Sequence, residues 1–104
     1  MVIYIPAPGA SNFPSTTANA PINVSVTNSS TQILAANSDR RLVIISNTGN
    51  INVFMSADGT AVVDKGFELR KGDTMQLGED IDITTTLHGI TKGGSTNIAV
   101  QEFE

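Results

Sequence analysis

Residues 35–47 read AANSDRRLVIISN. Small residues lead into a polar turn, two arginines follow, then an unbroken apolar run, then asparagine. Leu42-Val43-Ile44-Ile45 is too short for a buried helix and is rich in β-branched side chains, so it reads as a strand. It is apolar at every position, which predicts a central strand covered on both sides, with at least two of the four residues packed against an opposite sheet. Asn47-Thr48-Gly49-Asn50 reads as the turn into a partner strand over residues 52–56. Residues 41–56 are therefore expected to form a hairpin and the stability centre of the fold.

The pattern extends in both directions. Ile22, Val24 and Val26 alternate with Asn23, Ser25 and Thr27, as in a half-buried strand. A turn at Asn28-Ser29-Ser30 precedes a short strand over residues 31–35. Residues 67–70 and 74–77 flank Lys71-Gly72-Asp73, a tight turn with glycine where φ is positive. Ile81, Ile83, Thr85 and Leu87 alternate with Asp82, Thr84 and Thr86, predicting another strand. Gly93-Gly94-Ser95 reads as a hairpin turn into residues 96–103, with Ile98 and Val100 facing inward. About eight short strands and no helical period indicate an all-β fold. The expected form is an antiparallel β-sandwich of jelly-roll type over residues 22–104.

Residues 1–21 differ in character. They hold all four prolines, Pro6, Pro8, Pro14 and Pro21. Proline fixes φ and removes a donor, so this stretch is excluded from helix and central strand. It reads as an extended N-terminal arm. Val2, Ile3, Tyr4 and Ile5 form a short β-prone run, and Phe13 stands as a second apolar anchor; all five are candidate partner contacts. The apolar run stops at Pro6 with no basic residues before it, unlike a signal peptide or a membrane span.

Composition narrows the function. The chain has 104 residues, which fits one domain able to build a core without metal or disulfide. Six Lys and Arg against ten Asp and Glu cannot make a basic stripe, so nucleic acid is not an expected partner. There is no cysteine, which removes disulfides, thiolate zinc sites and thiol catalysis together.

Candidate chemistry is thin. His88 is the single histidine, no G-x-S-x-G elbow accompanies it, and no second histidine joins it as a metal ligand. It reads as a polar residue at a strand end. Glu79-Asp80-Ile81-Asp82 is acidic but lacks calcium-loop spacing, and reads as a solvated turn. Gly93-Gly94-Ser95 lacks the Gly-Lys-Ser/Thr and the following helix of a phosphate loop. No enzyme activity and no cofactor are expected. Arg40 and Arg41 admit two readings: an anchor for a partner carboxylate or carbonyls, or an intramolecular clamp ahead of the central strand. The clamp is preferred, and both arginines stay in the candidate interface.

Several segments together resemble a recurrent pattern of tailed-bacteriophage virion proteins. They are Ala35-Ala36-Asn37, Arg40-Arg41-Leu42-Val43-Ile44-Ile45-Ser46-Asn47, Asn52-Val53-Phe54, Gly66-Phe67-Glu68-Leu69-Arg70-Lys71-Gly72 and Gly94-Ser95-Thr96-Asn97-Ile98-Ala99-Val100. The resemblance is to small β-modules of capsid decoration or cement proteins, head fibers and tail-associated proteins. It implies a β-sandwich that forms a homotrimer, located in the virion and assembled in the host cytoplasm. It implies the major capsid protein as partner, no nucleic acid or membrane, and no catalytic residues. Capsid decoration is the first expectation, and a receptor-binding or adhesin module of a tail or fiber is the alternative. Leu87-His88 stands where such modules often carry an aromatic residue.

Overall fold

A computed structural model of the chain describes residues 17–78 and 83–104. Val2, Ile3, Tyr4, Ile5 and Phe13 lie outside the described residues, as does the acidic run at 79–82. The described residues are all-β: β1 (Ile22–Val26), β2 (Thr31–Leu34), β3 (Leu42–Asn47), β4 (Val53–Ser56), β5 (Phe67–Leu69), β6 (Thr74–Gly78), β7 (Leu87–Ile90) and β8 (Thr96–Phe103). None of them is helical, so no described helix is long and apolar enough to cross a membrane. The strands form two antiparallel four-stranded sheets, ordered β1-β8-β3-β6 and β2-β7-β4-β5.

One core lies between the sheets. The first contributes Val26, Val43, Ile45, Ile98 and Val100; the second contributes Ile33, Leu34, Val53, Met55, Leu69 and Leu87. β3 is central, between β8 and β6, as its apolar run predicts. Its burial nevertheless alternates: Val43, Ile45 and Asn47 point inward, while Leu42 and Ile44 are half-buried on the outer face. Ile98 and Val100 face inward as expected.

Two expectations of local pairing are corrected. Residues 41–56 do not form a hairpin: β3 and β4 belong to different sheets. The loop between them lacks an adjacent Asn-Gly pair for a two-residue turn, and the Asn47 side chain turns inward and holds the loop from beneath. The turn at 93–95 likewise joins strands of different sheets rather than a hairpin. The Lys71-Gly72-Asp73 turn has the expected positive φ at Gly72 (79°), and it too carries the chain from one sheet to the other. Only β4 and β5 are consecutive and paired.

Of the strand expected over residues 81–87, residues 83–86 are described and form no strand; β7 begins at Leu87. The carbonyls of Ile83 and Thr85 accept hydrogen bonds from Arg40 instead of joining a ladder. Over residues 83–86 the alternating sequence lies in a loop. His88 is correspondingly not at a strand end; it is the second residue of β7, on the outer face.

Of the arm, residues 17–21 are described. Thr17 and Glu104 exchange backbone hydrogen bonds of 2.6 and 2.8 Å, and Asn19 N–H donates to the Glu102 carbonyl at 2.9 Å. This stretch therefore runs on from β1 beside the end of β8.

Candidate functional site

Two polar clusters sit at opposite ends of β3. At its start, the Arg40 side chain is 2% exposed. Its Nε donates to Glu102 Oε2 at 2.7 Å, and its terminal nitrogens donate to the carbonyls of Ile83 (2.6 Å), Thr85 (2.9 Å) and Ala35 (2.5 Å). Asn37 Nδ2 reaches Glu102 at 3.2 Å and Glu104 at 2.8 Å, so the carboxylate is held from two sides. One guanidinium thus ties the β2–β3 loop, the β6–β7 connection and β8 together. A planar fork with five donors suits that task; an ammonium does not. A cavity of about 20 Å³ beside it, lined by Arg40, Val43, Leu77, Ile83 and Leu87 among others, is about the size of one water.

Arg40 is therefore engaged within the chain and presents no free guanidinium to a partner. Its neighbour differs: Arg41 is exposed, and its backbone N–H donates to the Phe103 carbonyl at 2.8 Å. Of the arginine pair, Arg41 alone keeps a side chain at the surface.

At the other end of β3, Asn47 is 1% exposed. Its Nδ2 donates to the carbonyls of Ile51 (2.7 Å) and Leu69 (3.1 Å), and its Oδ1 accepts from Gly49 N–H (3.2 Å) and Thr96 Oγ1 (2.9 Å). Its backbone bonds Asp73 and Gly72, both at 2.9 Å. Two donors and two acceptors are all satisfied, which is the condition for burying an amide without penalty. Asn47 was read from sequence only as a turn residue. The signal was present: residues 43, 45 and 47 share one face, so a strand reaching Asn47 buries it.

The outer face of the second sheet carries a different kind of site. Phe54, Ser56, Glu68, His88 and Ile90 share that face, in the register Phe54 opposite Ile90 and Glu68, and Ser56 opposite His88. A depression of about 210 Å³ is lined by Ile51, Asn52, Phe54, Glu68 and Lys92. Lys92 Nζ lies 5.7 Å from the Phe54 ring centroid and 3.1 Å from Asp64 Oδ1. Glu68 pairs with Arg70 at 3.2 Å. These exposed pairs are worth at most about 1 kcal/mol each and leave the groups free to rearrange. In the sequence Phe54 stands within the strand expected over residues 52–56, with nothing local to mark it as outward. Its position between inward-facing Val53 and Met55 is what places it outside.

The 57–66 loop doubles back along this sheet. Ala61 N–H donates to Ser30 Oγ at 2.9 Å, just before β2, and Asp64 reaches Lys92, just after β7. His88 Nδ1 is buried with no hydrogen-bond partner among the described residues. No hydroxyl or carboxylate is hydrogen-bonded to that nitrogen. Among the described residues no three His, Cys, Asp or Glu side chains converge as a metal site. No family model matches the chain, and neither a curated protein nor a solved structure does.

Proposed function

We propose that the chain is a structural protein of a tailed-bacteriophage virion that decorates and cements the capsid by non-covalent contacts across capsid subunits. The observation that carries the reading is the strand order. Two facing four-stranded sheets, β1-β8-β3-β6 and β2-β7-β4-β5, with all but one connection crossing between them, are what a jelly roll requires. That architecture serves viral capsid and lectin domains among others. The sequence resemblance selects the virion among them. Arg40 and Asn47 bond carbonyls of their own chain and so keep the body preformed, which suits a structural subunit.

In this reading the body sits over a junction between copies of the major capsid protein. The arm leaves the body beside the end of β8, where Thr17 meets Glu104. Val2, Ile3, Tyr4, Ile5 and Phe13 add apolar contacts on neighbours, and exposed Arg41 offers a guanidinium to a partner carboxylate. A homotrimer multiplies these contacts and raises avidity without new chemistry. The test is co-sedimentation of purified protein with empty capsids of the same genome. Binding is expected, and removal of residues 1–16 should weaken it about ten-fold or more while the body stays folded. Absence of capsid binding by the intact chain refutes the reading.

The depression around Phe54 favours a second reading, a receptor-binding module. An aromatic face beside a carboxylate, an amide and an ammonium suits a sugar ring, which offers both apolar C–H and hydroxyl groups. Phe54→Ala should then abolish binding to host-surface glycans and leave capsid binding untouched. No glycan binding by the unmodified protein refutes this alternative.

A further inference from the structure

The four sheet edges are unequally protected. An open edge presents unpaired N–H and C=O groups, and proteins blunt such edges with bulges, charges, proline or shortness. In the second sheet, β2 is bulged between Gln32 and Leu34. β5 has three residues, includes Glu68 and is followed by Arg70. In the first sheet, β6 is entered through Lys71 and Asp73. β1 is entered through Pro21, and within its five residues it carries no bulge, charge or proline. Its five residues pair with β8 in unbroken register, and among the described residues nothing pairs with its other edge.

Charge sharpens the contrast. The first charged residue of the chain is Asp39; residues 1–38 contain no Lys, Arg, Asp, Glu or His. Neither β1, nor β2, nor the loop joining them therefore supplies a charge. The formal net charge of −4 resides entirely in the remaining residues. β1 also carries Ile22, 44% exposed, one of two large apolar side chains so exposed among the described residues, with exposed Asn23 and Ser25 next to it in the chain.

We propose that the β1 edge is the surface by which copies of this chain associate, the occupant being a second copy. The inference rests on the oligomer reading above and assigns it a surface. A neutral edge has no charge with which to select a charged partner. Two copies of an acidic protein repel each other everywhere except where neither brings charge, and the β1 side is that place. The unpaired backbone groups then supply direction and Ile22 an apolar contact.

Ser25→Lys and, as a second variant, Asn23→Lys place like charges across the association surface from solvent-exposed positions. Gln76→Lys on β6 serves as the control on the opposite edge of the same sheet. Sedimentation at micromolar concentration should give the wild type and Gln76→Lys a multiple of 10.9 kDa, two copies where like edges pair directly and three where the β1 sides meet about a three-fold axis. Both β1 variants should fall to 10.9 kDa with unchanged circular dichroism. A wild type that is already monomeric overturns the oligomer reading and this inference with it. A wild-type oligomer that Ser25→Lys and Asn23→Lys leave intact overturns the surface assignment alone. So does dissociation by Gln76→Lys only, or loss of capsid binding by the β1 variants with the oligomer intact, which would give the edge to the capsid.

Discussion

Arg40→Ala isolates what a single buried guanidinium does for the fold. The substitution removes four hydrogen bonds at once, three to backbone carbonyls and one to Glu102. Each buried group left without a partner costs about 1–3 kcal/mol, and breaking one side of a buried ion pair costs about 3–5 kcal/mol. Two features reduce the sum. Glu102 is 21% exposed and keeps Asn37 as a donor, so its carboxylate recovers some solvation. The adjoining cavity lets water reach the orphaned carbonyls. A net loss of about 3–5 kcal/mol is expected, a large part of the roughly 5–15 kcal/mol that holds a domain together. Urea unfolding measures it through the midpoint and slope. Arg40→Lys should recover less than half, since one ammonium cannot span carbonyls from two loops and a carboxylate. Glu102→Gln should cost only about 1 kcal/mol, because the three carbonyl bonds remain. The reasoning fails if Arg40→Ala costs under about 1 kcal/mol, or if Glu102→Gln costs as much as Arg40→Ala, which would make the ion pair rather than the carbonyl clamp the working part.

Three further outcomes follow from the same geometry. Ile45→Ala, at a fully buried position, should cost about 3–4 kcal/mol in urea unfolding, and Ile44→Ala, half-buried on the outer face between Gln76 and Gln101, about 1–2 kcal/mol; equal losses would mean that β3 does not alternate. Gly66→Ala meets the Met55 carbonyl oxygen at 2.0 Å with φ at +78°, whereas Gly72→Ala at φ +79° meets nothing within 4 Å. Gly72→Ala should lower the melting temperature by a few degrees, from a backbone cost of about 1–2 kcal/mol, and Gly66→Ala by several times more. Asn47→Asp keeps the shape but loses both Nδ2 donors and sets a carboxylate against two carbonyls, so about 3–5 kcal/mol should be lost at neutral pH. Burial raises the folded-state affinity of that new carboxyl for its proton, so the deficit relative to wild type should shrink as pH falls, and a deficit independent of pH would contradict the account.

Most of the strands were legible in the sequence, because half-buried strands alternate and the alternation is local. Val26, Ile98 and Val100 announce themselves by spacing alone, whereas Val43 and Ile45 stand in an unbroken apolar run that leaves the inward face open. The pairing was not legible. Loops of a few polar residues, such as those after Asn47 and around Gly94, serve a hairpin or a crossing between sheets equally well. What decides is long-range: whether each strand's apolar face is better covered by a neighbour in the same sheet or from across the core. The lack of a strand over residues 83–86 has a related cause. Ile83 is buried and alternates with its neighbours, yet its carbonyl was claimed by Arg40, more than forty positions away. Residue type marked Arg40 as a possible clamp, but nothing local could name the carbonyls it would hold. The aromatic depression was hidden for another reason: Phe54 lies amid apolar residues, and only the inward register of Val53 and Met55 turns it out.

The crossing connections have a mechanical consequence that bears on where partners bind. Each links the two sheets covalently at an end of the sandwich, and the ends of β3 are further fixed by Arg40 and Asn47. Sliding one sheet over the other would break the bond from Asn47, in the first sheet, to the Leu69 carbonyl, in the second, while Thr96 moves with Asn47. Such sliding strands buried polar groups and disturbs the interlocked core, which favours a rigid body. A rigid block gains affinity by offering preformed surfaces rather than by closing around a ligand. Its ends are occupied by loops bonded to one another. The preformed surfaces that remain are the outer sheet faces and the strand edges. Of these, the second sheet's outer face holds opposite charges around Phe54, and the β1 edge holds none. Two surfaces so different in polarity suit two different partners, a polar ligand on the face and a like neutral surface at the edge, and Phe54→Ala and Ser25→Lys should therefore act independently of each other.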